Sequence, residues 1–484
     1  MQINPSRFTL TIPIKGDRTL AYNSGSQCFA IWDEDDVAFW NKIENGEVST
    51  QTPGWQDFVS NKFATVGEFD EMKALRDEYE LSRQRSTSLQ ITVCTSLYCN
   101  FGCSYCFQGM EKPTQKMPAR VRDAIADYAE RALQPGGHLS ICWYGGEPLM
   151  GQDALFDLAD RFRKIAKQKR ASYGSFMISN GYLLDVEMAK RLIEIDMNHV
   201  QITVDGPKHL HDERRPLLSG RGSYDRILKN IEEFTEATDM KVSIRVNTDL
   251  DNQSEVLDML DDFAARGLTQ ERGVTVYFAP VEATTVDCSG CEQTTLQKEA
   301  YAKFEIELLR AAKERKLATA SPGGKFLGLC QAIKPKAICV TPTGDVHKCW
   351  ETVNQPELRH GTIFDMAEAE RSKTSRRWLS FTPFDNETCS SCKLLPMCAG
   401  ACAFKTVHSD QQSGEAALPC PSWKFNFAEK MFMRAEQRGV VQKDDWIEGT
   451  SNTMRGSHLI TGDRQSFQSV TQAAAKIEEL VDAL

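Results

Sequence analysis

The chain has 484 residues, about three times the ~150-residue size of a common domain, so two to four domains and a large core are expected. A formal charge of −10, from 57 Lys and Arg against 67 Asp and Glu, excludes the basic footprint of a nucleic-acid or anionic-membrane binder. No run approaches the ~18 apolar residues of a membrane span, and MQINPSRFTLTIPIKGDR lacks a basic stretch followed by an apolar one, so a cytoplasmic chain is expected.

Residues 1–86 open with the alternation Phe8, Leu10, Ile12, then a second extended piece at 22–32, then helical patterns at 35–43, 55–62 and 68–83. This predicts a small α+β unit of winged-helix size, either a recognition domain or an elaboration packed on the next domain. From residue 89 short apolar strands alternate with amphipathic helices. Strands are expected at 89–93, 138–143, 175–178, 200–204, 241–246 and 273–278, with helices at 118–133, 154–169, 186–195, 224–235 and 255–266 between them. Right-handed crossovers then give a parallel α/β sheet or partial (β/α)6 barrel over 87–285, with its ligand site at the C-terminal strand ends. A linker and a helix, 296–315, fill 286–325. A cysteine-rich domain is expected over 326–430, its last helix at 425–438, and a tail with a short helix at 470–484 completes the region 431–484.

Sixteen cysteines are too many for packing alone, and in a reducing compartment their clustering reads as metal or Fe–S ligation. None lies between Cys142 and Cys288, whereas eight fall from Cys330 to Cys420. Directly after the first expected barrel strand stands CNFGCSYC, in which Cys99-x3-Cys103-x2-Cys106 offers three thiolates on one loop. Three thiolates hold three irons of a [4Fe–4S] cluster and leave the fourth open. Zinc or plain burial are the alternatives, but structural zinc asks for four ligands, usually in paired C-x2-C knuckles. Cys28, Cys94 and Cys142 read as buried structural cysteines.

The CNFGCSYC run, with Tyr105 before its last cysteine, resembles the radical SAM superfamily. WYGGEPL at the next strand end, with Gly145, Gly146 and Glu147, matches the motif that receives the S-adenosylmethionine (SAM) amino group in that superfamily. Glycines allow close backbone approach, and Glu147 can pair an ammonium. Later strand ends carry Ser179-Asn180-Gly181, Thr203-Val204-Asp205-Gly206-Pro207 and Arg245-Val246-Asn247, followed after the fourth strand by His211-Asp212-x2-Arg215. By the resemblance, Asn180, Asp205 and Asn247 line the SAM or substrate cavity and Arg215 binds the SAM carboxylate. Turn chemistry accounts equally well for Asn180 and Asp205, and a surface salt bridge competes for Arg215.

Cys330, Gly344 and Cys349, followed by Cys389-x2-Cys392-x5-Cys398-x3-Cys402 and then Cys420, resemble the SPASM domain of the same superfamily, which holds auxiliary Fe–S clusters. The resemblance assigns Cys389, Cys392, Cys398 and Cys420 to a distal cluster and Cys330, Cys349 and Cys402 to a proximal one. One of Cys288, Cys291 and Cys339 completes the proximal set, or its last iron stays open for a substrate thiolate. Sulfatase-maturing members carry an Asp base immediately after the second cysteine of this region, where this chain has Trp350.

The resemblance implies an enzyme with SAM, one radical [4Fe–4S] cluster and two auxiliary ones, fed by a one-electron donor such as a flavodoxin or ferredoxin. A 5′-deoxyadenosyl radical would abstract hydrogen from a C–H bond, and no catalytic side chain is assigned beyond the cluster. The N-terminal unit resembles the leader-binding domain of maturases of ribosomally made peptides. The expectation is a peptide maturase forming an intramolecular cross-link, thioether first and carbon–carbon second. Its rivals are a protein-maturing enzyme of quinone-cofactor or sulfatase type and a non-catalytic Fe–S electron carrier.

Overall fold

The computed structural model describes residues 1–84, 87–282, 293–320, 324–326, 329–408 and 420–450. Near the N-terminus, β1 (Ile3–Pro5) pairs with β5 (Ala64–Val66), while β2 (Thr9–Ile14), β3 (Arg18–Asn23) and β4 (Phe29–Trp32) form an antiparallel sheet in that order. The extended piece expected at 22–32 is therefore two strands, broken where the Asn23 side chain accepts from the Gly25 and Ser26 amides. Helix α1 (Glu34–Glu44) starts on Asp33, whose carboxylate accepts from Asp36 N. In chain order α2 (Trp55–Ser60) precedes β5 and α3 (Glu71–Arg83) comes after it.

Six parallel strands come next: β6 (Ser88–Ser96), β7 (His138–Gly145), β8 (Ser172–Ser179), β9 (Met197–Thr203), β10 (Lys241–Thr248) and β11 (Val274–Pro280). The intervening helices are Ala119–Ala132, Gln152–Gln168, Val186–Glu194, Tyr224–Ala237 and Val256–Ala265, with an additional one, Lys208–Arg214, carrying His211 and Asp212. Period-two alternation divides each strand. On β7, Leu139, Ile141 and Trp143 face the helical layer, while Cys142 and Tyr144 join Cys94 and Leu97 in a separate interior cluster. The helices answer with 3.6-residue spacing, as in Leu155, Leu158, Phe162 and Ile165.

The sheet continues past β6. β12 (Ala337–Val340) pairs parallel with β6, followed by antiparallel β13 (Asp345–His347) and β14 (Gly361–Thr362), giving nine strands in the order β11-β10-β9-β8-β7-β6-β12-β13-β14. The cysteine-rich segment is thus hydrogen-bonded to the strand that carries the cluster loop.

The N-terminal unit packs chiefly on that same segment. Phe8, Leu75 and Tyr79 share a core with Trp378, Phe381, Phe384 and Phe404, and Leu10, Ile12 and Tyr22 share another with Met397, Met431 and Phe432. Cys288, Cys291 and the helix expected at 470–484 lie outside the described residues. No helix among the described residues is long and apolar enough to cross a membrane.

Candidate functional site

A cavity of about 410 Å³ opens at the C-terminal ends of the parallel strands. Cys99, Cys103 and Cys106 line it from the loop after β6, together with Tyr144 of β7, Ile178 of β8, Gln201 of β9, Arg245 of β10 and Pro280 of β11. Strand ends from across the sheet face one space, so the sheet curves around it.

Two glycines let β7 lie against the cysteine loop. A Cβ on Gly145, whose φ is +126°, would sit 2.0 Å from Ser96 O, and one on Gly146 would sit 2.4 Å from Leu97 O. The backbone takes up that space with hydrogen bonds, Gly146 N to Ser96 O at 2.9 Å and Glu147 N to Tyr98 O at 3.0 Å. Any side chain here would push the loop away.

Glu147 is placed differently from a cavity-facing ammonium partner. Its carboxylate is fully buried and accepts from Asn180 N at 2.8 Å, Leu149 N at 3.0 Å and Ser179 Oγ at 3.0 Å. It ties the end of β8 to the turn after β7. Burial pushes its pKa up, and these donors pull against that shift. Asn180 lines the cavity; its amide donates to Asn100 Oδ1 at 2.8 Å and lies 3.7 Å from Cys99 Sγ.

Tyr105 is the centre of a polar knot. Its hydroxyl donates to Asp205 Oδ2 and accepts from Arg215 Nη1 at 2.6 Å and from Asn247 Nδ2 at 3.4 Å. Asp205 accepts in addition from Asn247 N at 2.8 Å and stands 3.8 Å from Arg215. Asp205 is fully buried behind the cavity wall, whereas Tyr105, Arg215 and Asn247 line the cavity. The Arg215 Nε is buried without a hydrogen-bond partner, which suits a ligand carboxylate.

Several lining residues escaped the motifs. Lys112 donates to Cys106 Sγ at 3.3 Å and acts electrostatically on all three loop cysteines. Burial drives the Cys99 thiol up to about 11, with Lys112 opposing. Three cysteines line the cavity beside one cation, with no fourth lining it among the described residues, a donor count that suits a three-thiolate cluster with an open iron. Glu282, Trp350 and Glu351 line the other side, and the last two directly follow Cys349. The signal available in the sequence was adjacency, Glu351 to Cys349 and Glu282 to the end of β11.

Farther out, the structure groups the other cysteines. Burial raises the Cys349 and Cys389 thiols, with Cys330 and Cys402 adding to the first shift and Cys420, Cys398 and Cys392 to the second. Cys339, on β12, turns its thiol to Cys94, at 3.8 Å between sulfurs.

Residues 93–263 match the family model described as Radical SAM superfamily. The cysteine-type anaerobic sulfatase-maturating enzyme of Clostridium perfringens (strain ATCC 13124) is 23% identical over 372 residues, spanning 69% of this chain and 94% of that protein. The solved structure of native anSMEcpe with bound AdoMet aligns with a TM-score of 0.57 at 21% identity, covering 76% of this chain and 100% of that one. Streptococcus suis SuiB bound to precursor peptide SuiA aligns with a TM-score of 0.50 at 15% identity, over 84% and 97%. With its cysteine loop and glycine turn on one cavity, and these relatives, the chain carries a radical SAM domain over residues 93–263 and is a modifying enzyme consistent with the SPASM type, a class that uses SAM and [4Fe–4S] clusters.

Proposed function

We propose that this chain matures a ribosomally made precursor peptide by installing an intramolecular cross-link, a thioether before a carbon–carbon bond. The observation that carries this reading is the shared chamber, which has Cys99, Cys103 and Cys106 on one wall and the residues following Cys349 on the other. Cys99, Cys103 and Cys106 would hold the cluster that binds SAM, and the chemistry this pair would supply is a carbon radical able to take hydrogen from an unactivated C–H bond. Arg215 offers its guanidinium to the SAM carboxylate, Tyr105 and Asn247 fix that guanidinium, and Gly145 and Gly146 give the amino group access to backbone. Cys330, Cys349 and Cys402 would hold a proximal cluster and Cys389, Cys392, Cys398 and Cys420 a distal one. Trp350 and Tyr144, in tilted contact with ring centroids 5.2 Å apart, give the chamber an aromatic stretch of wall.

A peptide substrate is supported by the SuiB relative, whose structure holds a precursor peptide. It is supported too by the N-terminal unit, where β4 is the edge of its sheet and a groove of about 480 Å³ runs between β5 and α3, with Phe69 58% exposed at its side. A leader segment adding a strand or seating apolar side chains there would be bound far from the reacting carbon. A cytoplasmic one-electron donor of flavodoxin or ferredoxin type completes the system.

The test is anaerobic incubation with SAM, dithionite and the precursor encoded beside the gene. 5′-Deoxyadenosine should appear together with a peptide whose fragmentation is blocked between two linked residues. A second reading, oxidation of one side chain in a protein, is favoured by Glu351, a carboxylate lining the chamber one position beyond Trp350. It would give a carbonyl product that a hydrazide probe captures, with no linked residues.

A further inference from the structure

A charged side chain held away from bulk water is paired with an opposite charge or given a full set of hydrogen-bond partners. The cations in and around the chamber follow this rule. Arg214 makes a two-pronged contact with Asp249, 2.9 Å at each prong, and Arg215 stands 3.8 Å from Asp205. Lys405 and Lys298 both face Glu282, at 2.9 and 3.8 Å, and Lys112 donates to Cys106 Sγ. Lys348 has carbonyls instead, donating to Lys334 O, Pro335 O and Ala337 O at 3.0 to 3.2 Å.

Arg245 departs from the pattern. It lines the chamber from β10, with Thr203 of β9 and Tyr277 of β11 beside it in register. Its Nε donates to Asn247 Oδ1 at 2.6 Å, and the Tyr277 phenol lies against its guanidinium. That phenol is itself held, donating to Gln201 Oε1 at 2.6 Å. Both neighbours are neutral, and a guanidinium has five N–H donors to place. Among the described residues no carboxylate stands within 4.0 Å of it. The two carboxylates whose charge reaches it are engaged elsewhere, Asp205 with Tyr105, Asn247 N and Arg215, and Glu282 with its two lysines. Arg245 thus presents to the chamber a positive charge for which the wall supplies no counter-charge.

We infer that Arg245 is the docking point for a carboxylate of the substrate, either an acidic side chain or the C-terminus of the peptide, and that it selects substrates carrying that group. This rests on the reading of the chain as a peptide maturase. With Nε fixed by Asn247, the two terminal nitrogens match a planar carboxylate in two parallel hydrogen bonds. Arg215, bound to Tyr105 on the cysteine loop at 2.6 Å, suits the SAM carboxylate, so the two arginines serve two different anions. An amide of the same shape offered to Arg245 would leave the guanidinium without its counter-charge, which is how a site rejects a near-isostere.

The experiment uses the anaerobically reconstituted full chain with SAM, dithionite and the precursor encoded beside the gene, made as a series. Each Asp is changed singly to Asn and each Glu to Gln, and one further peptide carries a C-terminal amide. With the wild-type chain one member of the series should lose about tenfold or more in kcat/KM, and its identity separates side chain from C-terminus. In Arg245→Gln that preference should vanish, acid and amide peptides agreeing within about twofold, while Arg245→Lys, which keeps the charge and loses the fork, retains part of it. Equal slowing of both peptides in Arg245→Gln, with the preference intact, would overturn the inference, since a structural residue or a SAM ligand behaves in that way. If Arg245→Gln fails to load iron, Arg245→Lys decides: a preference reduced about threefold supports the inference and an unchanged one overturns it. A wild-type chain that modifies every member of the series within about twofold overturns it with no variant made, and leaves the peptide reading standing. Release of 5′-deoxyadenosine with no precursor modified would overturn the peptide reading, and this inference with it.

Discussion

Arg215 donates to the Tyr105 hydroxyl at 2.6 Å across 110 residues of sequence, so the aromatic inside the Cys103–Cys106 loop is fixed by a helix-end arginine from beyond the fourth parallel strand. Tyr105 passes its own proton toward Asp205, which makes it the bridge of a buried acid–base pair. Tyr105→Phe removes that bridge and frees Arg215 to turn from the cavity. SAM affinity should fall about tenfold, or about 1.4 kcal/mol, and stability by about 1–3 kcal/mol, with iron content unchanged. Equilibrium SAM binding and urea unfolding measure the two losses, and an unaltered Kd would show that Tyr105 does not position Arg215.

Replacing Cys99, Cys103 and Cys106 together by Ala should abolish 5′-deoxyadenosine formation. It should also remove about four of about twelve irons, leaving those on the auxiliary cysteines. Deoxyadenosine release at the wild-type rate would refute the assignment of this loop, and an iron count near zero would show that the clusters assemble as one unit.

His211 gives the molecule a pH-dependent stability. It is fully buried, accepts from Asp205 N at Nδ1 (3.3 Å) and lies at Nε2 3.0 Å from Ser223 Oγ. Burial first, and Arg215 next, hold its pKa down at about 3, from 6.5. Between those values the unfolded chain takes up a proton that the folded chain refuses. The contribution is therefore fully present above pH 6.5 and is lost as pH falls toward 3, by about 1.4 kcal/mol at about pH 5.5. His211→Gln, which can accept and donate in the same places, should lose less stability than the wild-type chain over that interval. Parallel pH profiles in urea unfolding would count against this.

The groove between β5 and α3 is the place to test leader recognition, because deleting the whole unit would strip Phe8, Leu75 and Tyr79 from a core shared with Trp378 and Phe404. Phe69→Asp changes an exposed side chain only. Precursor binding should weaken about tenfold or more and cross-linking with it, while SAM cleavage without precursor continues. Full-rate modification by this variant would remove the groove from the recognition surface.

Gly146→Ala tests the close approach of β7 to the cysteine loop. The added Cβ meets Leu97 O at 2.4 Å and Tyr98 O at 2.6 Å, both backbone atoms. Stability should drop by about 1–3 kcal/mol and the loop cluster should reconstitute incompletely, as read by iron content and visible absorbance.

Local pattern was enough to locate the parallel strands and the helices between them, because period 2 and period 3.6 are written into residues such as Leu139, Ile141 and Trp143 or Leu155, Leu158 and Phe162. It also located the cysteine loop and the Gly145–Gly146 turn, since both depend on contiguous residues at a strand end. Long-range pairing decided the rest. That β12 extends the sheet beside β6 follows from a register between Ala337–Val340 and residues 90–93, which no local spacing encodes. Glu147 turned inward because Ser179 and the Asn180 amide, 32 and 33 residues later, offered a buried carboxylate its donors. Lys424 reads in the sequence as one more surface lysine; only the tertiary packing buries it, 3.4 Å from Cys420 Sγ, because burial is set by what the chain folds against and not by local spacing.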